Sequence, residues 1–231
     1  MKMTVRKAVP VFLISAIVCL ALPMWGADKS KDEETIRNAA TVLQAMVGSK
    51  DVPASVIAKA ECIIILPSVK KFAVGIGGTG GRGPMSCREG KNFDGKWSAP
   101  AMYSLGGASA GFQIGGTATD VILLIMAQPA VEKILTGKVK VGSDATAAAG
   151  PGASASTSSN VDILTYSRTS GVFAGISLNG ASLDPDGDAN QRLYGKNVSA
   201  RSILTEDTVT ATSAGAALQS LLNSKAAKHS D

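Results

Sequence analysis

The stretch 74-VGIGGTGGRG-83 decides between two folds. Gly75, Gly77 and Gly80 satisfy the G-x-G-x-x-G spacing of a dinucleotide-binding turn, and Asp94 stands near the place of its acidic ribose ligand. Such a turn works only if it hands the chain to a helix whose N-terminal amides hold the pyrophosphate. Here the chain continues GRGPMSCREGKNFDGKW, with Gly81, Gly83, Gly90, Gly95 and Pro84 all before Trp97. That text cannot propagate a helix. The glycines are therefore read as letting a curved strand turn tightly, with Arg82 presented outward.

The text on both sides agrees. Cys62–Leu66 is a continuous apolar run, the mark of a buried strand. From Val69 to Met126 apolar residues alternate amid glycine, as in FAVGIGG, WSAPAMYSLGG and TDVILLIM, which predicts short strands joined by turns. So much glycine inside strands predicts bulges or close backbone approach, and with them a strongly curved sheet. Ahead of this, Ile36, Ala39, Ala40, Leu43, Met46 and Val47 recur at helical steps, predicting an amphipathic helix that stops near Gly48. A short helix is expected over Pro53–Lys59. Another, PAVEKIL, opens at Gln128-Pro129 and closes at Gly137. Small residues at 145–159 read as strand and loop within one domain. Asp184 before Pro185 reads as the cap of a helix reaching Tyr194-Gly195, and a last helix carries Ala214, Ala217, Leu218, Leu221 and Leu222 on one face. The fold class is α+β: a mainly antiparallel, strongly curved or barrel-like sheet with an N-terminal helix, short connecting helices and a C-terminal helix.

Residues 1–27 have the layout of a secretory signal peptide: Lys2, Arg6 and Lys7, an uncharged apolar run from Ala8 to Leu22, then Gly26-Ala27. The run is short of the ~20 residues of a membrane span, so an uncleaved anchor is the second reading. Residues 28–231 are expected to form one domain, exported to the periplasm or cell envelope. The whole chain has 23 basic and 18 acidic side chains. The leader holds three of the bases and no acid, so the basic balance belongs largely to the export signal and nucleic acid is not implied. A local excess remains at Lys70, Lys71, Arg82, Arg88, Lys91 and Lys96 against Glu89 and Asp94, suited to an anionic surface. Past the leader, Cys62 and Cys87 remain. An oxidising compartment permits a bridge between them, while the apolar setting of Cys62 reads as a buried thiol.

Catalytic patterns are weak. Gly107-Ala108-Ser109-Ala110-Gly111 matches the nucleophile elbow G-x-S-x-G, with Asp120 or Asp162 and His229 to complete a triad. The residues behind Ser109 alternate like a strand, however, and His229 sits in the terminal AAKHSD. Asp184, Asp186 and Asp188 open like a calcium loop, but Ala189 and Gly195 stand where it needs glycine and glutamate. No enzyme, cofactor or metal is expected. Asn197-Val198-Ser199 is a glycosylation triplet by pattern.

The ordered series ASVIAKAECIIILPSV, FAVGIGGTGGRG, WSAPAMYSLGGASAGFQIGG, TDVILLIM, VGSDATAAAGPG, TYSRTSGVFAGISLNGASL and YG resembles the SYLF domain family over about Lys31 to the C-terminus. The resemblance implies a compact β domain with flanking helices that binds phosphoinositides and other anionic phospholipids without a cofactor or reaction. Gly80–Gly83 match the family's glycine-arginine-glycine turn, and Trp97–Pro100 its tryptophan-serine-alanine-proline strand start. Gln113, Gly115 and Asp120 match later strands, Tyr166, Ser167, Arg168 and Gly171 the tyrosine-serine turn, and Tyr194-Gly195 the late pair. ASAS follows Gly150-Pro151-Gly152 where the family often has arginine. The first helix opens on Asp32, Glu33 and Glu34, which opposes insertion into an anionic bilayer. Phosphoinositide specificity and actin binding are not carried over to an exported chain. The expected function is non-catalytic binding of anionic phospholipid, with Lys70, Lys71, Arg82, Arg88, Lys91 and Lys96 as headgroup contacts. The alternative is an envelope scaffold with a protein partner or self-association.

Overall fold

A computed structural model describes residues 25–74, 76–110, 117–149, 161–170, 172–173, 178–195 and 197–226. The run at Cys62 opens strand β1 (Cys62–Val74), which returns antiparallel as β2 (Ile76–Cys87). β3 (Ala101–Ala110) pairs with β2, and β4 (Thr117–Ile125) pairs with the other side of β1. The short strands are β5 (Val139–Lys140), β6 (Ala147–Ala149), β7 (Ile163–Thr169), β8 (Val172–Phe173) and β9 (Ser182–Pro185). They complete one curled, half-barrel sheet in the order β5-β9-β3-β2-β1-β4-β7-β6, with β8 beside β7. Among the described residues, the strand pairings are antiparallel except that of β6 with β7.

The Cys62–Leu66 run of β1 is apolar without alternation because both faces of the sheet are covered there. Cys62, Ile64, Leu66 and Val69 pack beneath helices α3 (Gln128–Thr136) and α5 (Ala200–Thr205), with Val131, Ile134, Ile203 and Leu204. Ile63 and Ile65 pack on the opposite face. That face is covered by α1 (Trp25–Gly48), α2 (Ala54–Ile57), α4 (Gly187–Tyr194) and α6 (Ser213–Lys225). Ile36, Ala39, Leu43 and Met46 form the buried stripe of α1, as their spacing predicts. The helix begins earlier than its apolar pattern, at Trp25, so the charged segment DKSKDEE is helical too. In α6, Ala214, Leu218 and Leu222 are buried, whereas Ala217 is exposed and Gly215 takes its place against Pro100.

The capping expectation at Asp184 needs correction. Asp184 and Pro185 end β9, and the cap of α4 is Asp186, whose Oδ1 accepts the Ala189 amide at 3.0 Å. Two residues of extended chain pair with β3 before the helix starts. Ser199 caps α5 in the same way, accepting from the Ser202 amide.

Gly77, Gly78, Gly80, Gly81 and Gly83 of the opening stretch lie inside β2, and none of them has a left-handed φ; Gly75 lies outside the described residues. At Gly81 and Gly83 the reason is close approach. β1 shifts register at Pro67-Ser68, where Ser68 has φ 55° and its amide donates to Asp120 Oδ1 at 3.0 Å. Opposite this bulge, a Cβ on Gly83 would lie 1.9 Å from the Ile65 carbonyl oxygen. A bulge of this kind bends its strand and deepens the local twist. Cys62 and Cys87, paired at the far end of the same two strands, form a disulfide.

Candidate functional site

The six cations do not share a face. Lys70 pairs in register with Gly80, two residues from Arg82, whereas Arg88, Lys91 and Lys96 lie beyond Cys87 at the other end of β2. At about 3.3 Å per residue that separates the groups by roughly 20 Å or more. The backbone of Lys71 pairs with Thr79 and Thr117; its side chain lies outside the described residues.

Arg88 is 2% exposed. Its guanidinium donates to the carbonyls of Ala58, Ala60, Gly95 and Ala226 and stacks 4.4 Å over the Trp97 ring. Burial works against its charge, with Glu61 opposing. The group is spent inside the fold, tying the end of α6 to the sheet, and offers a headgroup nothing. Trp97 acts with it: Nε1 donates to Ala226 O, and the main chain is held by Asn223 and Gln219 of α6. Tyr194 donates to Pro100 O, and Ser98 accepts the Cys87 amide. Burial pushes the phenol of Tyr166 up to about 12 and also raises that of Tyr194. These family-motif positions are structural clamps.

Lys91 and Lys96 are exposed, but acids surround them. Lys96 is 3.6 Å from Glu89 and 3.9 Å from Asp207, and Arg201 pairs with Glu132 at 2.6 Å beside Lys91. Asp94 and Glu206 add to this, so the end holding Lys91, Lys96 and Arg201 carries more acid than base.

The middle of β2 is built differently. Asp32 of α1 is fully buried and takes Arg82 Nη2 at 2.6 Å on one oxygen and Arg192 Nε at 2.7 Å on the other. Arg82 also reaches Asp186 Oδ2 at 3.0 Å. Asp32 in the acidic start of α1 thus docks the helix on the protein rather than facing outward, and the hydrogen bond that Arg192 donates to Asp32 holds its guanidinium above its ordinary range. The side chain of Arg82 remains 37% exposed. It forms one wall of a groove of about 470 Å³, with Pro67, Ser68, Lys70, Gly80, Gly81, Ser104 and Asp186. Lys70 forms no ion pair among the described residues. Arg82 and Arg192 balance Asp32 and Asp186, so the groove carries the unbalanced charge of Lys70. Sequence reasoning did not reach Asp32, Asp186 or Arg192 in this role, because only the fold brings α1, β2 and α4 together.

Ser109 lies in β3, paired with Gly77, and Ala110 behind it is still strand; residues 111–116 lie outside the described residues. His229 lies outside the described residues. Asp184 pairs with Lys138 at 3.5 Å and Asp186 is engaged by Ala189 and Arg82, so the calcium-like spacing serves capping and ion pairing. Among the described residues no cluster of His, Cys, Asp and Glu is arranged to hold a metal.

The sequence profile described as Ysc84, Las17-binding protein actin regulator, matches residues 106–225. The chain is 33% identical over 190 residues to an SH3 domain-containing protein of Schizosaccharomyces pombe, covering 79% of this chain and 43% of the relative. It is 31% identical over 188 residues to human SH3 domain-containing YSC84-like protein 1, covering 79% and 54%. To LAS seventeen-binding protein 3 of Saccharomyces cerevisiae it is 30% identical over 192 residues, covering 77% and 41%. The chain thus spans about half the length of these relatives. The profile match, over the segment that builds β4, β7, α4 and the clamping helix α6, shows that the chain belongs to the Ysc84, or SYLF, family.

Proposed function

We propose that this protein binds anionic phospholipid, without catalysis, through the groove walled by Lys70 and Arg82, and that it does so in the cell envelope after export. The carrying observation is the groove itself: a lysine with no ion pair among the described residues and a partly exposed arginine on one concave surface, away from the acid-rich loop. An exposed base near an anionic bilayer contributes about 1 kcal/mol, so the exposed Lys70 adds to reversible attachment at this groove. The leader at residues 1–27 and the buried Cys62–Cys87 disulfide both support an oxidising, extracytoplasmic compartment. The relatives' names describe binding proteins, which fits a domain that recognises rather than reacts.

The test is flotation of the full chain with vesicles of phosphatidylcholine alone or mixed with phosphatidylglycerol, at low and high salt. Binding confined to anionic vesicles, screened by salt and weakened by Lys70→Glu but not by Lys91→Glu, is the expected result. Equal binding to both vesicles, or none, removes the lipid reading. A protein-partner reading has support of its own, since a relative is named for binding Las17. It predicts instead a retained protein partner or self-association that is indifferent to lipid charge.

A further inference from the structure

The helical layer over one face of the sheet stops short. Met102 of β3 is fully covered, Ser104 is half-buried, and Gly106, on the same face two residues further, is exposed. Gly106 pairs with Gly80, and Gly80 pairs with Lys70. A Cβ built on either glycine would meet nothing within 4 Å. Two adjacent strands therefore present bare backbone at one rung, flanked by Lys70 on one side and Arg82 with Ser104 on the other. This contrasts with Gly83 of the same strand, where the missing side chain answers a backbone contact.

We infer that the open floor at Gly80 is a subsite for one phosphodiester monoanion, the glycerophosphodiester of a phospholipid headgroup, with its phosphate lodged between Lys70 and Arg82. The inference rests on the lipid-binding reading above and narrows it. Charge selects the diester. The Arg82–Arg192–Asp32–Asp186 network is balanced, Lys70 is the remaining charged side chain that lines the groove, and the Asp120 carboxylate beside it is engaged by the Ser68 amide. The side chains that line the groove, Lys70 and Arg82 against Asp186, thus carry one net positive charge. A phosphodiester carries one negative charge; a monoester carries up to two near neutral pH, and its second would face Asp186. Space agrees as well, since about 470 Å³ falls within the roughly 300–1,000 Å³ of small-molecule sites. The bare rung lets a glycerol lie flat on the backbone beside the phosphate.

The experiment compares the full chain with its Gly80→Val and Lys70→Glu variants in two assays. One is titration calorimetry with glycerophosphoglycerol, glycerol 3-phosphate and inorganic phosphate; the other is flotation with phosphatidylglycerol-containing vesicles. Valine at position 80 fills the groove without meeting an atom at Cβ and suits a strand, so its thermal midpoint is expected to equal or exceed that of the parent. Should it fail to fold, Ser104→Leu fills the same groove from β3. Loss of one charge-assisted contact corresponds to about tenfold or more in affinity. That weakening, in both variants and both assays, with glycerophosphoglycerol preferred over the monoester, is the expected outcome. A groove-filled variant that binds like the parent overturns the subsite. So does a parent that floats with vesicles but ignores glycerophosphoglycerol, and in both cases lipid binding survives. Preference for glycerol 3-phosphate or inorganic phosphate overturns the diester assignment. A parent that binds no vesicle overturns the lipid-binding reading and this inference with it.

Discussion

Asp32 shows what one buried charge does here. Its carboxylate has no solvent contact and two guanidinium partners. Asp32→Asn leaves those cations facing an amide, and removing one partner of a buried pair costs about 3–5 kcal/mol. Because Arg82 keeps Asp186 and both arginines are partly exposed, the expected loss is smaller, about 2 kcal/mol, read from urea unfolding. Arg192→Gln should cost less in the Asp32→Asn background than in the parent, the coupling that a double-mutant cycle reports. Glu89 behaves oppositely. One of its oxygens is buried without a hydrogen-bond partner among the described residues, and burial raises its pKa against the pull of Lys96. A raised carboxylate binds its proton more readily folded than unfolded, so its destabilising effect is present at neutral pH and fades as pH falls through the raised pKa. Glu89→Gln should therefore stabilise at pH 7 by about 1 kcal/mol, with the difference from the parent closing below the carboxylate range.

Among the elements, the β1–β2 pair sets the geometry of the rest. Gly83 stands where the bulged β1 presses its backbone on β2, and Gly80, three residues away, stands over open space. The same substitution should thus divide sharply. Gly83→Ala forces a carbonyl to move and should cost about 3 kcal/mol or more, if the chain folds at all. Gly80→Ala should be neutral or stabilising by up to about 1 kcal/mol. Thermal melts of the two variants provide the check. The cations follow the same pair: β2 carries Arg82 at mid-strand and leads to Arg88 just beyond its Cys87 end, which is why residues close in sequence part company in space.

At the scale of the whole molecule, a sheet covered on both faces is fastened at one end by the Cys62–Cys87 disulfide and by Arg88 and Trp97 gripping α6. The bridge closes a 25-residue separation, for which unfolded-state entropy gives about 3 kcal/mol. A Cys62→Ala, Cys87→Ala double variant should lose about that much in urea. Both sulfurs are buried, so reductant should act on the native protein only as fast as it opens. Loss of stability much below this in the double variant would show that the clamp around Arg88 suffices alone.

By itself the sequence determined the fold class, the stripe of α1, the buried run of β1 and the family. Each is a local pattern: a helical or strand period, a turn residue, an ordered set of short motifs. It also excluded the dinucleotide turn, because no helix can follow Gly80. Only the tertiary structure decided which cations are available. Arg88 and Arg82 look alike in the sequence, yet one is enclosed by carbonyls and the other borders a groove, since their environments come from α2, α6, α1 and α4, far away along the chain. The reason for each glycine was hidden for the same cause. Close approach and open floor differ only in what the fold places opposite, and that is a property of three-dimensional packing, which no local pattern encodes.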